Sequence, residues 1–210
     1  MTTGMVIGFI GSGHIGATLA RLSVNAGHSV VLSNSRGPET LSALVAGMGP
    51  HATAAASAEA AAQGDIVVVS IPFGHYRDVP AEPTAGKIVI DVGNYYAKRD
   101  GAYAQIDSGA TTSSELVAAH LPDARVVKAF NVIHFRDLAD EGLPAGHPER
   151  RALPIAGDDA DAKKTVTELI DSFGFDVVDT GPLAEGRRFQ PDTPAYLTRL
   201  TAAQLREALS

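Results

Sequence analysis

The sequence predicts a single α/β domain with a doubly wound, mostly parallel sheet of seven or eight strands. Short apolar runs of strand length alternate with helical patterns along the chain, which is typical of a parallel sheet covered by helices. A glycine-rich turn joins the first apolar run to the first helical pattern. The 210 residues, 45% of them hydrophobic, are sufficient to bury one full core.

The first strand, turn and helix lie in the segment MVIGFIGSGHIGATLARL. An apolar run from Met5 to Ile10 is followed at once by Gly11, Gly13 and Gly16 in the spacing G-x-G-x-x-G. Gly11 allows a tight turn, Gly13 lets the backbone approach a pyrophosphate, and Gly16 lets the helix pack on the strand. Phosphates then meet the free N–H groups at the start of the helix. With a second strand from Ser29 to Leu32, the segment predicts a dinucleotide-binding, Rossmann-type unit, the alternative being a glycine turn without a ligand.

The residues after the second strand indicate which dinucleotide is bound. NAD sites carry a carboxylate about 20 residues beyond the glycines, and that charge would repel the 2′-phosphate of NADP. This chain instead has the short polar side chains of Ser33, Asn34 and Ser35, followed by Arg36. A guanidinium matches the oxygens of a phosphate. We therefore expect an NADP site, the alternative being that Arg36 is a solvated arginine that starts a turn.

The later elements continue the alternation of strands and helices. Thr112 and Glu115 form a capping-box pattern that predicts the start of a helix. Before this helix, the sequence predicts a helix in SAEAAAQG from Ser57 to Gly64, a buried strand in DIVVVSIPF that stops at Pro72, and a strand from Lys87. After it, a strand is predicted in ARVVKAF. The segment RALPIAGDDADAKKTVTELIDSFGFDVVDTG predicts one further strand, a helix with acidic residues in its first turn, and a last strand from Asp176.

These elements predict an NADP-binding Rossmann domain at residues 1–183 and a C-terminal helical extension of the same domain at residues 184–210. In the extension, Thr193 and Pro194 are expected as N-cap and first position of a terminal helix that carries Tyr196, Leu197, Leu200 and Leu205. The segment after the last strand is too short for the helical substrate domain of hydroxy-acid and imine reductases, and the Tyr-x-x-x-Lys pair of short-chain dehydrogenases does not occur. We therefore expect the substrate in an open cleft at the carboxyl ends of the strands, where a flat partner lies against the nicotinamide.

Composition excludes several classes of function. The formal charge of −7 argues against a nucleic-acid surface, and the sequence contains neither an apolar span of membrane length nor a secretory signal. We therefore predict a soluble, cytoplasmic protein without nucleic-acid or membrane partners. The absence of cysteine excludes disulfides, thiolate zinc sites and cysteine nucleophiles. Asp158, Asp159 and Asp161 are typical of a helix N-terminus rather than of a metal site, so that no metal is expected.

Six segments carry a resemblance to a known family: GFIGSGHIGATLA, SNSRGPETL, SIPFGHY, IVIDVGN, ARVVKAFNVI and LPIAGDDADAKKTVTELIDSFGFDVVDTGPL. From Met5 to Leu183 the chain resembles the NADP oxidoreductases that use the 8-hydroxy-5-deazaflavin coenzyme F420. It is also similar to the NADPH-binding domain of the six-transmembrane, STEAP-type ferric reductases.

The resemblance implies a set of cofactor-binding residues. The set begins with Gly11 of the turn, and the residues that would face the pyrophosphate are the next four, Ser12, Gly13, His14 and Ile15. Those that would bind the 2′-phosphate are Ser35 and Arg36, with Asn34 beside them. Those that would line the nicotinamide ribose and diphosphate are Ile71, Pro72 and His75. Those that would lie along the nicotinamide ring are Asn94, Ala129 and Asn131.

The resemblance also implies a reaction, hydride transfer between NADP(H) and a flat deazaflavin coenzyme. The alternatives are an NADPH:flavin reductase that uses FMN or FAD and passes electrons to iron, and a redox-sensing NADP-binding protein without turnover. No side chain is expected to act as an indispensable acid or base, although His75 and His134 are candidates. Arg187 and Arg188 are either contacts for the anionic tail of the deazaflavin or solvated charges. An exposed cleft and a terminal helix also predict a homodimer.

Overall fold

The computed structural model describes residues 4–210 and contains one eight-stranded sheet covered by helices. The first three positions of the predicted Rossmann domain lie outside the described residues. The strands are β1 Val6–Ile10, β2 Ser29–Ser33, β3 Ala52–Ala54, β4 Ile66–Val69, β5 Ile88–Asp91, β6 Arg125–Lys128, β7 Ala152–Gly157 and β8 Asp176–Asp179. Their order in space is β3-β2-β1-β4-β5-β6-β7-β8, which confirms the predicted α/β, Rossmann-type fold.

Helices follow most strands. The α-helices are α1 His14–Asn25, α2 Ser42–Ala46, α3 Ser57–Gln63, α4 Ala97–Asp100, α5 Ala104–Asp107, α6 Ser113–His120, α7 Phe135–Asp140, α8 Ala160–Ser172 and α9 Ala202–Ala208. Short 3-10 helices cover Pro38–Leu41, Phe73–Asp78, Glu82–Thr84 and Leu183–Phe189.

The strands do not all run in one direction. From β3 to β6, every neighbouring pair is parallel. β7 pairs antiparallel with β6, with Val127 opposite Gly157 and Lys128 opposite Ala156, and β8 then runs parallel to β7. The carboxyl ends of β1 to β6 therefore lie at one edge of the sheet. The loops that follow these six strands meet at that edge, as is typical of ligand sites in this class of fold.

The sheet is buried on both faces. In β4, Ile66 and Val68 belong to the hydrophobic cluster on one face, and Val67 and Val69 belong to the cluster on the other. α1 and α8 pack on the first face, while α6 and the 3-10 helix Phe73–Asp78 pack on the second. Because successive side chains of a strand point to opposite faces, a strand covered on both sides is apolar throughout. This explains the uninterrupted sequence IVVV of β4.

The C-terminal extension differs from the prediction. Residues 193–197 form bends and turns rather than a helix. The helix α9 begins only after its N-cap residue, Thr201. Leu197 has a φ of 55°, in the left-handed region that interrupts a right-handed helix. Thr201 and Gln204 supply the capping box that starts α9. The predicted helix start at Thr193 and Pro194 is therefore wrong, although Leu205 does lie in the terminal helix.

Two smaller features complete the comparison with the sequence. The edge strand β3 has no counterpart among the predicted elements, since its residues ATA form no long apolar run. The capping box at the start of α6 is confirmed, because Thr112 Oγ1 accepts from the Glu115 N–H at 3.2 Å and Glu115 Oε2 accepts from the Thr112 N–H at 2.7 Å. No helix within residues 4–210 is long and apolar enough to cross a bilayer.

Candidate cofactor and substrate groove

A groove runs along the edge of the sheet at which β1 to β6 end. It consists of two adjoining cavities that share Gly13 and residues 70–72. The glycine-loop cavity, of about 450 Å³, extends from the loop after β1 to residues 34–36 after β2. The aromatic cavity, of about 520 Å³, receives residues from the loops after β5 and β6 and from the C-terminal segment. Its aromatic side chains are His14, Tyr96, Phe130, His134, Phe135 and Tyr196.

The glycine turn has the geometry that its sequence predicts. Gly11 has a φ of 101°, and a Cβ there would lie 2.3 Å from the carbonyl oxygen of Ser70. A Cβ on Gly16 would lie 2.3 Å from the carbonyl oxygen of Gly11, so that α1 packs directly on the turn. At Gly13, no atom of residues 4–210 outside its immediate neighbours lies within 4 Å of the Cβ position. The backbone of Gly13 is therefore open to the groove.

The start of α1 presents N–H groups to the groove. Gly13 is the N-cap residue and provides no side-chain hydrogen bond, and the first turn contains no acidic residue. The uncapped N–H groups and the helix dipole both favour an anion at this position. Ser12 lines the glycine-loop cavity, while His14 and Ile15 line the aromatic cavity. The residues predicted to face a pyrophosphate thus surround the start of the helix.

The residues predicted for the 2′-phosphate lie at the far end of the glycine-loop cavity. Asn34, Ser35 and Arg36 all line it. Asn34 stabilises the turn, because its Oδ1 accepts from the Arg36 N–H at 3.0 Å and its Nδ2 donates to Thr40 Oγ1 at 2.9 Å. The exposed Arg36 guanidinium makes no hydrogen bond or ion pair with any residue that the structure describes. It is therefore available to an anion in the cavity.

A carboxylate lines the same cavity next to the shared wall of Ile71 and Pro72. Asp78 Oδ2 lies 3.0 Å from His75 Nδ1, and both side chains are exposed. Since like charges repel, a bound phosphate is more favourable near α1 than near Asp78. The His75 ring is therefore engaged by the Asp78 carboxylate in the cavity and is not free to bind a phosphate through Nδ1.

Two predicted residues lie beneath the groove rather than in it. Ser33 is fully buried, and its Oγ donates to the carbonyl oxygen of Phe9 at 2.7 Å. Ala129 is also fully buried, and its N–H donates to the carbonyl oxygen of Asp91 at 3.1 Å. Neither residue lines either cavity. Ser33 and Ala129 support the strand ends, and a direct contact with a cofactor has no geometric support.

Asn94 and Asn131 are brought together in the aromatic cavity. Asn94 Nδ2 donates to the carbonyl oxygen of Asn131 at 2.8 Å, and Asn131 Nδ2 donates to Asn94 Oδ1 at 3.1 Å. Asn131 Nδ2 also donates to the carbonyl oxygen of Phe189 at 2.8 Å. Asn131 Oδ1 is buried and has no hydrogen-bond partner among residues 4–210. A buried acceptor without a hydrogen-bond partner is uncommon in folded proteins.

Two histidines flank one aromatic ring in this cavity. His14 stacks on Phe135 with ring centroids 4.4 Å apart, and His134 lies at the same centroid distance from Phe135. His134 Nδ1 also accepts from the Arg136 N–H at 3.4 Å and caps α7. Within residues 4–210, neither His14 nor His134 forms an ion pair with a carboxylate. The cavity thus lacks the histidine-acid pair that an oriented general base usually has.

Two tyrosines that the sequence analysis did not assign to the site form the outer wall. Their hydroxyl groups, Tyr96 Oη and Tyr196 Oη, are hydrogen-bonded across a sequence separation of 100 residues. The Arg99 guanidinium lies 4.8 Å from the centroid of the Tyr96 ring and donates to the carbonyl oxygen of Asn94 at 2.7 Å. Burial, followed by the hydrogen bond with Tyr96, raises the pKa of Tyr196 above its usual 10.0. The two tyrosines of the segment VGNYY, which follows β5, are a sequence signal for Tyr96, whereas Tyr196 has no comparable signal.

Several other predicted residues lie away from the groove. Arg187 Nε donates to the carbonyl oxygen of Ala184 at 2.9 Å, and Arg188 lies 3.4 Å from Glu185. Neither arginine lines the groove, and their proposed contact with a coenzyme tail stays a prediction. The candidate acids for a metal have other partners: Asp159 caps α8, and Asp158 Oδ1 accepts from the Leu183 N–H at 2.9 Å.

Comparison with known proteins gives this geometry a family context. The model of the family described as NADP oxidoreductase, coenzyme F420-dependent, matches residues 6–95. The metalloreductase STEAP3 of Rattus norvegicus is 33% identical over 187 residues, which are 88% of this chain and 35% of that protein. The chain thus spans about a third of the length of the curated metalloreductases it matches.

Two solved structures are similar over most of their length. A hypothetical protein from Sinorhizobium meliloti is 32% identical, with a TM-score of 0.81, and the match covers 95% of this chain and 96% of that one. A proposed F420-dependent NADP reductase from Arthrobacter sp. FB24 is 29% identical, with a TM-score of 0.75 and 88% coverage of both chains. The groove described above therefore occurs in a fold that both proteins share.

Proposed function

We propose that the chain, whose residues 6–95 match the family model described as NADP oxidoreductase, coenzyme F420-dependent, transfers hydride between NADP(H) and a flat deazaflavin coenzyme of the F420 type. The observation that carries the proposal is the joined pair of cavities. One cavity ends at Arg36, whose guanidinium has no partner among residues 4–210, and the other is an aromatic-walled space of about 520 Å³. Such a pair suits a dinucleotide with a 2′-phosphate and a second planar ring beside its nicotinamide.

Individual residues have distinct tasks in this proposal. Ser35 and Arg36 would bind the 2′-phosphate, and the N–H groups at the start of α1 would bind the pyrophosphate. The nicotinamide would lie at the wall of Ile71 and Pro72, beside the hydrogen-bonded pair of Asn94 and Asn131. NADP(H) supplies or accepts the hydride. What the chain contributes is the position of both rings, since reacting atoms must approach within about 3 to 3.5 Å.

Proton transfer is not assigned to a side chain. Hydride transfer between two planar rings needs no acid at the reacting carbon. The one proton that the ring takes up on reduction, or releases on oxidation, would be exchanged with water at the open edge of the groove. The lack of a histidine-acid pair in the aromatic cavity supports this assignment. We therefore assign no catalytic acid or base.

A second candidate is reduction of FMN or FAD by NADPH, with electrons passed on to ferric iron. The observation in its favour is the 33% identity with a metalloreductase over 88% of this chain. The same groove serves both candidates, because deazaflavin and flavin have rings of similar shape. A cytoplasmic location and a homodimer stay predictions.

Single-turnover spectroscopy tests the proposal. The full chain with saturating NADPH is mixed in turn with the deazaflavin coenzyme, FMN and FAD, and the visible absorbance of each ring is followed. We expect the deazaflavin to be bleached fastest. Bleaching of FMN or FAD alone would favour the second candidate, and an unchanged spectrum with all three would exclude reductase activity toward both ring classes. Arg206→Ala, on the exposed side of α9, is a control that should bleach the deazaflavin as fast as the unmodified chain.

A further inference from the structure

A cluster of three buried polar side chains lies beneath the aromatic cavity, and the proposed function does not use it. Its members are Asp91 at the end of β5, Ser114 in the first turn of α6 and Lys128 at the end of β6. Their exposed fractions are 3%, 0% and 1%, respectively. Three different elements therefore place polar groups in the protein interior at one point.

The cluster holds one residue of the cavity wall from two sides. Lys128 Nζ donates to the carbonyl oxygen of Gly93 at 3.1 Å and to Ser114 Oγ at 3.0 Å. Ser114 Oγ donates to Asp91 Oδ2 at 2.7 Å, and Asp91 Oδ1 accepts from the Gly93 N–H at 2.9 Å. The N–H and the carbonyl group of Gly93 are thus both bound by side chains that are themselves linked through Ser114.

Packing alone does not explain these residues. No carboxylate lies within ion-pair distance of Lys128 Nζ among the described residues, and the hydrogen-bonded link from Lys128 to Asp91 runs through Ser114. Burial lowers the pKa of Lys128, and the charge of Asp91 only partly opposes this. A buried ammonium is unfavourable unless its donors are satisfied, and apolar replacements of buried charged groups are often neutral or stabilising. The contacts with Gly93 indicate what the ammonium does.

Gly93 connects the cluster to the reacting end of the groove. It lines the aromatic cavity, and the next residue, Asn94, is hydrogen-bonded to Asn131. From below, the 3-10 helix Leu183–Phe189 closes the cluster, since a Cβ on Gly186 would lie 2.7 Å from Lys128 Cδ. Lys128 is therefore confined between that helix and the wall of the cavity.

We propose that Lys128 is a positioning residue which, through the carbonyl group of Gly93, sets the wall of the aromatic cavity on which the nicotinamide and acceptor rings are aligned. The inference rests on the proposed function for its rate effect. Small displacements of aligned rings reduce the rate of transfer much more than they reduce binding. Lys128 makes no contact with the glycine-loop cavity, so the affinity for the dinucleotide is expected to depend little on it.

The test compares Lys128→Met with Lys87→Met in the full chain. Lys87 is a matched control, because its Nζ donates to the carbonyl oxygens of Ala61, Ala62 and Gly64 at the opposite edge of the sheet. We expect Lys128→Met to lower the single-turnover rate with the deazaflavin coenzyme about tenfold to a hundredfold at saturating NADPH. Its dissociation constant for NADPH should change less than about threefold, which separates positioning from general loss of structure. Lys87→Met should leave the rate and the dissociation constant unchanged.

A second measurement does not depend on turnover. The fluorescence emission of bound NADPH reports the surroundings of the nicotinamide, and we expect its maximum to shift in Lys128→Met and to stay unchanged in Lys87→Met. If the unmodified chain reduces no acceptor, the proposed function fails, and this shift alone decides the inference about Lys128. If Lys128→Met does not fold, Asp91→Asn is used in its place. This substitution weakens the hydrogen bonds of the cluster to Gly93 with little change in side-chain shape. An unaltered rate and emission maximum, or equal losses of rate and affinity, would overturn the inference.

Discussion

The two cavities of the groove adjoin, but they are stabilised by different means. The glycine-loop cavity is formed by short stretches of consecutive residues, and its shape comes from backbone conformation, as at Gly11 with a φ of 101°. The aromatic cavity is formed by distant parts of the chain that are joined by side-chain bonds, such as Tyr96 with Tyr196 and Asn131 with Phe189. We infer that changes in the first cavity act locally on affinity, whereas changes in the second act on the placement of rings.

The largest effect is expected from Gly16→Ala, which tests the backbone basis of the glycine-loop cavity. The new Cβ would lie 2.3 Å from the carbonyl oxygen of Gly11, so that the turn or α1 must move. We expect a loss of about 3 kcal/mol in the free energy of unfolding, at the upper end for an overpacked site. Urea denaturation measures it. Gly13→Ala is the control, because its Cβ position is open and stability should be unchanged while NADPH binding weakens.

The next largest effect is expected in the affinity for NADPH, as a loss that the affinity for NADH does not share. Arg36→Ala should weaken NADPH binding by about 1.5 to 3 kcal/mol, as expected for a hydrogen bond to a charged group. The affinity for NADH, which lacks the 2′-phosphate, should not change. Calorimetric titration with both nucleotides measures this difference. Equal affinities of the unmodified chain for NADPH and NADH would show that Arg36 is a solvated arginine.

A smaller effect is expected where the tyrosine pair joins the aromatic cavity to the C-terminal segment. Tyr196→Phe should lower the free energy of unfolding by about 0.5 to 1.5 kcal/mol, the net value of one hydrogen bond. Because burial raises the pKa of Tyr196, the unfolded chain loses this proton at lower pH than the folded one. Stability should therefore fall as the pH rises above 10.0, and less steeply in Tyr196→Phe. Thermal melts from pH 8 to 11 compare the two proteins, and identical slopes would contradict the assignment.

The smallest effect is expected from the histidines. His14→Ala, His75→Ala and His134→Ala should each reduce the rate of hydride transfer by far less than the factor of about 10² to 10⁴ that follows loss of a general acid. Stopped-flow measurements at saturating NADPH give these rates. A larger loss for one histidine, with nucleotide affinity intact, would identify a proton donor and point to a carbonyl or imine substrate.

The same contrast explains how far the sequence predicts the structure. Gly11 is required by its φ of 101° and by contact with Ser70 directly after β4, and Gly16 is required by contact with Gly11, yet the spacing of the glycines alone indicates the turn. Strands such as β4 are apolar throughout because both faces of the sheet are covered. These features depend on local geometry and burial, which a sequence pattern reflects directly.

The unpredicted features depend on contacts between distant residues. Tyr196 belongs to the aromatic cavity only because Leu197 adopts a φ of 55° and its N–H donates to the carbonyl oxygen of Val132, which replaces the predicted helix. The sequence does not distinguish Lys128 from other lysines at strand ends, because its burial results from contact with the distant Gly186. Ser33 was predicted at the cofactor from its position after β2, but the hydrogen bond to Phe9 turns it inward.

The reversal of β7 affects the electrostatic field along the groove. α8, the longest helix in residues 4–210, follows a strand that runs opposite to β1, and its carboxyl end therefore points to the edge where the amino end of α1 lies. Phe173 at that end approaches Phe130 of the aromatic cavity, with ring centroids 6.1 Å apart. The buried Arg150 donates to the carbonyl oxygen of Asp171 there at 2.8 Å.

The two helices thus present ends of opposite polarity toward this edge of the sheet. The partial positive charge of α1 attracts phosphates, while the partial negative charge of α8, offset locally by Arg150, offers them no such attraction. A dinucleotide carries its charge on the adenosine side and leaves the nicotinamide ring uncharged when reduced. We therefore expect NADPH to enter the groove with its phosphates toward α1 and its ring toward the tyrosines, an orientation that the reversed direction of β7 favours.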